Sequence, residues 1–211
     1  QELQLNKNEE LDTDFVLSKS NIVKSSNFNL IESKKIEKRE RIDLSDKNSY
    51  LFKSWNSDNS PLLPIIQLEQ GKDRITKLWI HTNNLAERLD LNSKKSLEIF
   101  FNSFGSLPLL NDWQNYLSEK IINDSRFNLG EKNEAISLCL HLNSNNEITK
   151  WSFHLTLVKC SLIVGSDYTD ALLSRKSKTR ITSRLLKPIK EYIEDLDKII
   201  EISTSFRKRH L

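Results

Sequence analysis

Between Leu185 and Phe206 the apolar residues Leu185, Ile189, Tyr192, Leu196, Ile199 and Phe206 recur every three to four positions. That period draws one apolar stripe along an amphipathic helix. A helix of this kind takes most of its stability from what its stripe covers. The chain must therefore build a surface for it. Pro188 has no N–H and clashes with a preceding turn, so it fits only in the first turn of that helix.

The surface is expected to be a sheet. Pro61 and Pro64 precede the apolar run Ile65-Ile66-Gln67-Leu68-Glu69. Gly71-Lys72-Asp73 is a turn and residues 75–81 read as a second strand, so 64–81 is expected to be a hairpin. Residues 135–142 and 148–164 read as two more strands around Asn143-Ser144-Asn145-Asn146. Residues 96–104 carry Leu97, Phe100, Phe101 and Phe104 at helical spacing, and Asn111-Asp112 can cap a short helix over 113–122. Strands and helices without βαβ regularity give an expected α+β class. It is a mixed, mainly antiparallel sheet with flanking helices and the long C-terminal helix.

Residues 1–47 are rich in Lys, Glu, Asn and Ser, with isolated apolar residues such as Phe15, Val16, Leu17, Ile22 and Val23. They read either as a lead-in that docks through one or two short helices or as a partly disordered linker. The chain holds no Met and opens on Gln1, so it reads as part of a longer protein. No apolar run approaches the ~20 residues of a membrane span. Four scattered glycines exclude a phosphate-binding glycine loop. Cys139 and Cys160 are no disulfide framework and suit a reducing, cytoplasmic setting.

His81, His141, His154, His210, Cys139 and Cys160 are the soft metal-ligand types. Cys139 and His141 share one strand face, and Cys139 is expected to face about Trp151 across the turn. The set does not converge, so these read as ordinary sheet residues. No Ser stands in a Gly-x-Ser-x-Gly elbow. No catalytic residue and no metal ligand is assigned.

The net charge is +3, and the basic residues are clustered. Arg175, Lys176, Lys178, Arg180 and Arg184 form one cluster, and Arg207-Lys208-Arg209 a second. A polyanion gains from each phosphate such cations neutralise. The bland alternative is a solvated loop plus a helix C-terminus whose cations complement the dipole.

Taken in order, Arg41-Ile42-Asp43-Leu44-Ser45, a strand ending Leu68-Glu69, Leu78-Trp79-Ile80-His81-Thr82-Asn83-Asn84, Leu117-Ser118, Gly130-Glu131 with Ala135-Ile136-Ser137-Leu138, and a helix ending Arg207-x-Arg209 form a series. The series resembles the first half of the catalytic RNB domain of the exoribonuclease II family, the RNase II and RNase R group. There the pattern runs roughly R-x-D-L-T, D-x-D-D-A, W-V-H-I-A-D, L-S, G-E-x-R-x-A-L-S and a helix ending R-x-x-R. The resemblance covers about residues 39–209. It implies a polar connector at 1–38 and the N-terminal part of an RNB-like domain at 39–211, the domain's remaining half lying beyond.

The family degrades single-stranded RNA from its 3′ end with Mg²⁺ held by aspartates. Hard cations need carboxylate oxygens, and two of them can clamp the attacking and leaving oxygens. Aligned back from Leu68-Glu69, the D-x-D-D-A aspartates fall on Pro61, Leu63 and Pro64. An earlier one falls near residues 53–55, and Asp58 lies between the expected positions. The last aspartate of W-V-H-I-A-D corresponds to Asn84, and an RNA-stacking aromatic position corresponds to Arg88. The resemblance thus implies a domain without its Mg²⁺ site.

The leading expectation is an RNB-like protein that binds single-stranded RNA, not DNA or membrane, with little or no nuclease activity. The RNA-binding candidates are Arg88, Arg175, Lys176, Lys178, Arg180 and Arg184, with Trp79, Trp113 and Tyr168 as stacking or core residues. The alternatives are an active 3′-to-5′ exoribonuclease whose ligands are misaligned or outside this segment, and a scaffold for a protein partner. If the resemblance holds, 61–69 and 75–81 are adjacent strands, with His81 near the mouth of a groove.

Overall fold

The computed structural model describes residues 38–53, 61–71, 75–88, 106–108, 113–115, 119–175 and 184–210. In chain order the elements are β1 (Ile42–Asp43), β2 (Ser49–Lys53), β3 (Ile65–Gln70), β4 (Thr76–Asn83), α1 (Leu85–Arg88), β5 (Ser106–Pro108), β6 (Trp113–Asn115), α2 (Glu119–Ser125), β7 (Lys132–Leu142), β8 (Ile148–Lys159), β9 (Leu162–Gly165), α3 (Ser166–Ser174), a 3-10 segment (Arg184–Tyr192) and α4 (Ile193–His210). The chain divides into two units. One takes residues 1–36, 57–61 and 85–124, and its described parts are α1, the antiparallel β5–β6 ribbon and most of α2. The other takes residues 37–56, 62–84 and 125–211 and contains a seven-stranded sheet.

The sheet order is β1-β8-β7-β4-β3-β2-β9. Its five inner strands pair antiparallel. Only the outer strands β1 and β9 pair parallel. The fold is α+β, as the pattern predicts, and β3 and β4 are the expected hairpin, with Ile65 opposite His81 and Leu68 opposite Leu78.

Side chains alternate across each strand, so the two faces have different fates. Leu78, Leu140, Leu142, Tyr50 and Val164 face the helical layer and pack with Leu172 of α3, Leu186 of the 3-10 segment and Leu196 and Ile202 of α4. The stripe from Ile189 to Phe206 finds its surface here, but Leu185 is exposed and Leu186 is buried in its place. The Tyr50 hydroxyl donates to Asp195 Oδ2 at 2.6 Å, anchoring the start of α4 on the sheet. The opposite face holds a smaller apolar cluster around Ile65, Trp79, Cys139 and Val158.

Four expectations need correction. The C-terminal helix is not continuous: Arg184–Tyr192 is 3-10 with a kink at Ile189, and α4 starts at Ile193. Pro188 denies a backbone donor to that stretch, so regular α-helix begins only after it. The run 148–164 is two strands, because Ser161 N–H bonds Ser49 carbonyl and sends β9 to the far edge beside β2. Residues 113–122 are a short strand followed by α2 rather than one helix. Cys139 faces Ser152, one position from the expected Trp151, which pairs with Leu140. The expected helix at 96–104 lies outside the described residues.

The β7–β8 turn shows its own chemistry. Asn143 Oδ1 accepts from the amides of Asn145 and Glu147, both at 2.9 Å. Asn146 sits at φ 58°, the left-handed region that Asn tolerates better than most side chains.

Candidate nucleic-acid interface

Register decides which strand ends meet. Leu51 pairs with Ile65, Ile65 with His81, Asn83 with Ala135, and Lys53 with Gly165. The end of β2, the lead Leu63–Pro64 into β3, Asn83–Asn84 after β4 and the start of β7 therefore share one end of the sheet. These are the positions where the resemblance places carboxylates. This chain has Leu63, Pro64 and Asn84 there and Pro61 in the other unit; of the window 53–55 only Lys53 is described, and Asp58 lies outside the described residues. A hard divalent cation needs several anionic oxygens. An ammonium, two apolar groups and a neutral amide do not supply them. Among the described residues no group of three or more His, Cys, Asp or Glu could hold a metal. At these positions the residues present do not fit a Mg²⁺ site.

His81 is not at a groove mouth. It is fully buried, since alternation sets it on the same face as Trp79, whose ring stacks on it at 6.1 Å. Polar side chains from the two flanking strands satisfy it. His81 Nδ1 lies 2.7 Å from Ser137 Oγ, and Nε2 lies 3.2 Å from Gln67 Oε1. Ser137 Oγ lies 2.6 Å from Thr156 Oγ1. One donor order satisfies every link: Thr156 donates to Ser137, Ser137 to Nδ1, and Nε2–H to Gln67. Burial lowers the His81 pKa to about 4, so the ring is neutral near pH 7. Ser137 and His81 resemble a nucleophile and base, but a fully buried pair reaches no substrate.

The predicted RNA contacts separate. Arg184 is exposed at the start of the 3-10 segment. Arg175 is not a free cation: its guanidinium pairs with Asp197 of α4, and its side chain is only 13% exposed. Arg88 ends α1, half-buried, in the other unit. Lys176, Lys178 and Arg180 lie outside the described residues. Arg175→Ala is therefore expected to destabilise the fold by roughly 2 kcal/mol, since it strands a partly buried carboxylate. Urea unfolding checks this: the midpoint falls, while RNA affinity tracks only the folded fraction.

The aromatic and soft-ligand candidates belong to packing. Trp79 is buried and its Nε1–H donates to Glu69 Oε2 at 3.3 Å. The Lys47 ammonium, 2.9 Å from Glu69, holds that carboxyl below its usual range. Tyr168 packs partly buried against the main core, and Trp113 is half-buried in β6. Cys139 and Cys160 are buried free thiols whose pKa values burial pushes up. His154 packs against Trp79, ring centroids 5.5 Å apart. The sequence reading passes over one pair, Trp151 and Phe153 on β8. Their signal is an aromatic at i and i+2 beside a lysine.

Comparison with known proteins settles the family. The RNB domain matches residues 41–211. The chain belongs to the RNB domain family. No curated protein matches it. Among solved structures, yeast Ssd1, described as a pseudonuclease, superposes with a TM-score of 0.72 at 14% identity over 96% of this chain and 25% of its own. RNase R of Mycoplasma genitalium, in complex with ribose-methylated single-stranded RNA, gives 0.66 at 16% identity over 90% of this chain and 31% of its own. The Dss1 exoribonuclease of Candida glabrata, an active-site mutant, gives 0.54 at 16% identity over 90% of this chain and 27% of its own. This RNB chain thus spans about a quarter to a third of the length of those proteins, and at such identities the likeness is one of fold. Among its described residues no helix is long and apolar enough to cross a membrane.

Proposed function

We propose that this RNB chain serves in a protein that binds single-stranded RNA and does not hydrolyse it. The observation that carries the reading is the sheet end where Lys53, Leu63–Pro64 and Asn84 meet. The fold brings the strand ends together, but the residues offer no carboxylates. Similarity to an RNA-bound RNase R and to a pseudonuclease supports the two halves of the reading. Arg184 and the cluster 176–180 give the phosphate contacts, with Arg88 as a contact of the other unit. Residues 1–38 serve as a connector, and the two reduced thiols suit the cytoplasm.

Salt dependence tests the binding half. Affinity of the full-length protein for a single-stranded RNA is expected to fall steeply with salt, with a log–log slope of about −0.7 for each phosphate neutralised. Arg184→Ala should make that slope shallower by roughly 0.7. A protein that serves only as a scaffold shows no RNA affinity to weaken.

A further inference from the structure

Trp151 is 61% exposed and Phe153 65% exposed, on the longest strand of the sheet. They pair with Leu140 and Leu138, so they lie on the face that α4 covers elsewhere, at the margin its packing does not reach. Their rings meet edge to face with centroids 5.7 Å apart. On the outer side of β8, β1 pairs only with Thr156 and Leu157. Ahead of those residues β8 has no strand neighbour on that side among the described residues. The two rings thus stand exposed on one strand, their Cα positions about 6.7 Å apart along it.

The surroundings are cationic. Lys150 is exposed but pairs with His141, so its side chain stands on the opposite face of the sheet and the cations of this face come from α4. Arg209 donates through Nη1 to Asn146 O at 2.9 Å and through Nη2 to Asn145 O, and Asn146 Nδ2 donates to Glu201 at 3.2 Å. These bonds fix the last turns of α4 on the turn from which β8 starts. That places exposed Arg207 and Lys208 at the same end of the hairpin. The acids there are engaged: Glu147 accepts from Asn143, and Glu201 from Asn146 and Lys198.

We propose that Trp151 and Phe153, with the basic last turn of α4, form a stacking surface for the bases of single-stranded RNA. Aromatic rings at i and i+2 of one strand are how sheet-based RNA binders stack successive bases. Stacking tolerates any base, because every base has a π face, while cations hold the phosphates. The assignment rests on the RNA-binding reading and adds a base-stacking site to its phosphate contacts.

The test is fluorescence anisotropy of the full-length protein with 5′-labelled single-stranded oligouridylate and oligoadenylate RNA across a salt series. The double variant W151A/F153A is expected to bind both at least about tenfold more weakly, with an unchanged salt slope. The variant W151F, which keeps a ring, is expected to bind within about threefold of wild type. Both should melt like wild type, because the rings are exposed. If wild type binds RNA and W151A/F153A binds equally well, the stacking surface is overturned while the RNA-binding reading stands. Self-association in sedimentation that the double variant abolishes, with RNA affinity intact, would assign the face to a protein contact and also overturn it. If wild type binds no RNA, both readings fall together.

Discussion

Lowering the pH from 7.5 to 5 is expected to cost the sheet-bearing unit about 2 kcal/mol through His81 alone. The native pKa is about 4, because burial disfavours the charged ring, against 6.5 in an unfolded chain. Between those values the unfolded state binds more protons than the native state, so stability rises with pH. The contribution is complete above pH 6.5 and is lost as pH falls toward 4, reaching about 3 kcal/mol in the limit. The partners explain the sign. Ser137 and Gln67 are neutral, and Gln67 offers an oxygen to a ring N–H that is already present. An imidazolium would add a second N–H at Nδ1 and turn the Ser137 bond around, with no carboxylate to offset its desolvation. Urea midpoints at pH 7.5 and 5 check this against His81→Gln. That variant should be less stable at pH 7.5 but lose little further stability at pH 5. A wild type as stable at pH 5 as at 7.5 would place His81 in contact with water.

Leu196→Ala is expected to cost about 3 kcal/mol, within the usual range for a buried leucine whose cavity cannot collapse. Leu196 is fully buried where α4 meets the sheet, packed in one cluster with Tyr50, Leu142 and Ile202. Those neighbours belong to strands and to the helix itself, so they cannot close over the hole without moving a whole element. Leu185 of the 3-10 segment, 46% exposed, provides the contrast. Leu185→Ala should cost less than about 1 kcal/mol. Urea unfolding of both variants reads the difference directly. Equal small losses would mean that α4 does not depend on the sheet.

The sequence announced those elements whose signal is local. The β3–β4 hairpin has prolines before it, Gly71 between its strands and alternation within them. The β7–β8 turn has Asn143 to accept amides and Asn146 for a left-handed backbone. The α4 stripe is a plain 3.6-residue period. Elements defined by distant partners were not legible. The continuous strand-like run from 148 to 164 does not reveal that it leaves β7 at Lys159 and joins β2 across the sheet. Residues 42–43 hide the edge strand β1 in a polar stretch, because edge positions need little apolar sequence.

The site was legible in part. The Leu78-to-Asn84 motif located the sheet end, and the motif order located the family. His81 was misplaced at a groove, since nothing local shows that Gln67, Ser137 and Thr156 converge on it from other strands. Arg175 passed as a free cation, because Asp197 is a tertiary partner. Trp151 and Phe153 were missed because alternation usually turns aromatics inward, and only the position of α4 leaves them outside.

The central claim is that an RNB fold here keeps RNA and has lost its cutting chemistry. The most direct measurement incubates the full-length protein with 3′-tailed, 5′-end-labelled single-stranded RNA and Mg²⁺, recording retardation and chain length together. The account predicts retardation with the RNA left at full length. Stepwise shortening from the 3′ end would contradict it, and would mean that carboxylates outside Lys53, Leu63, Pro64 and Asn84 hold the metal.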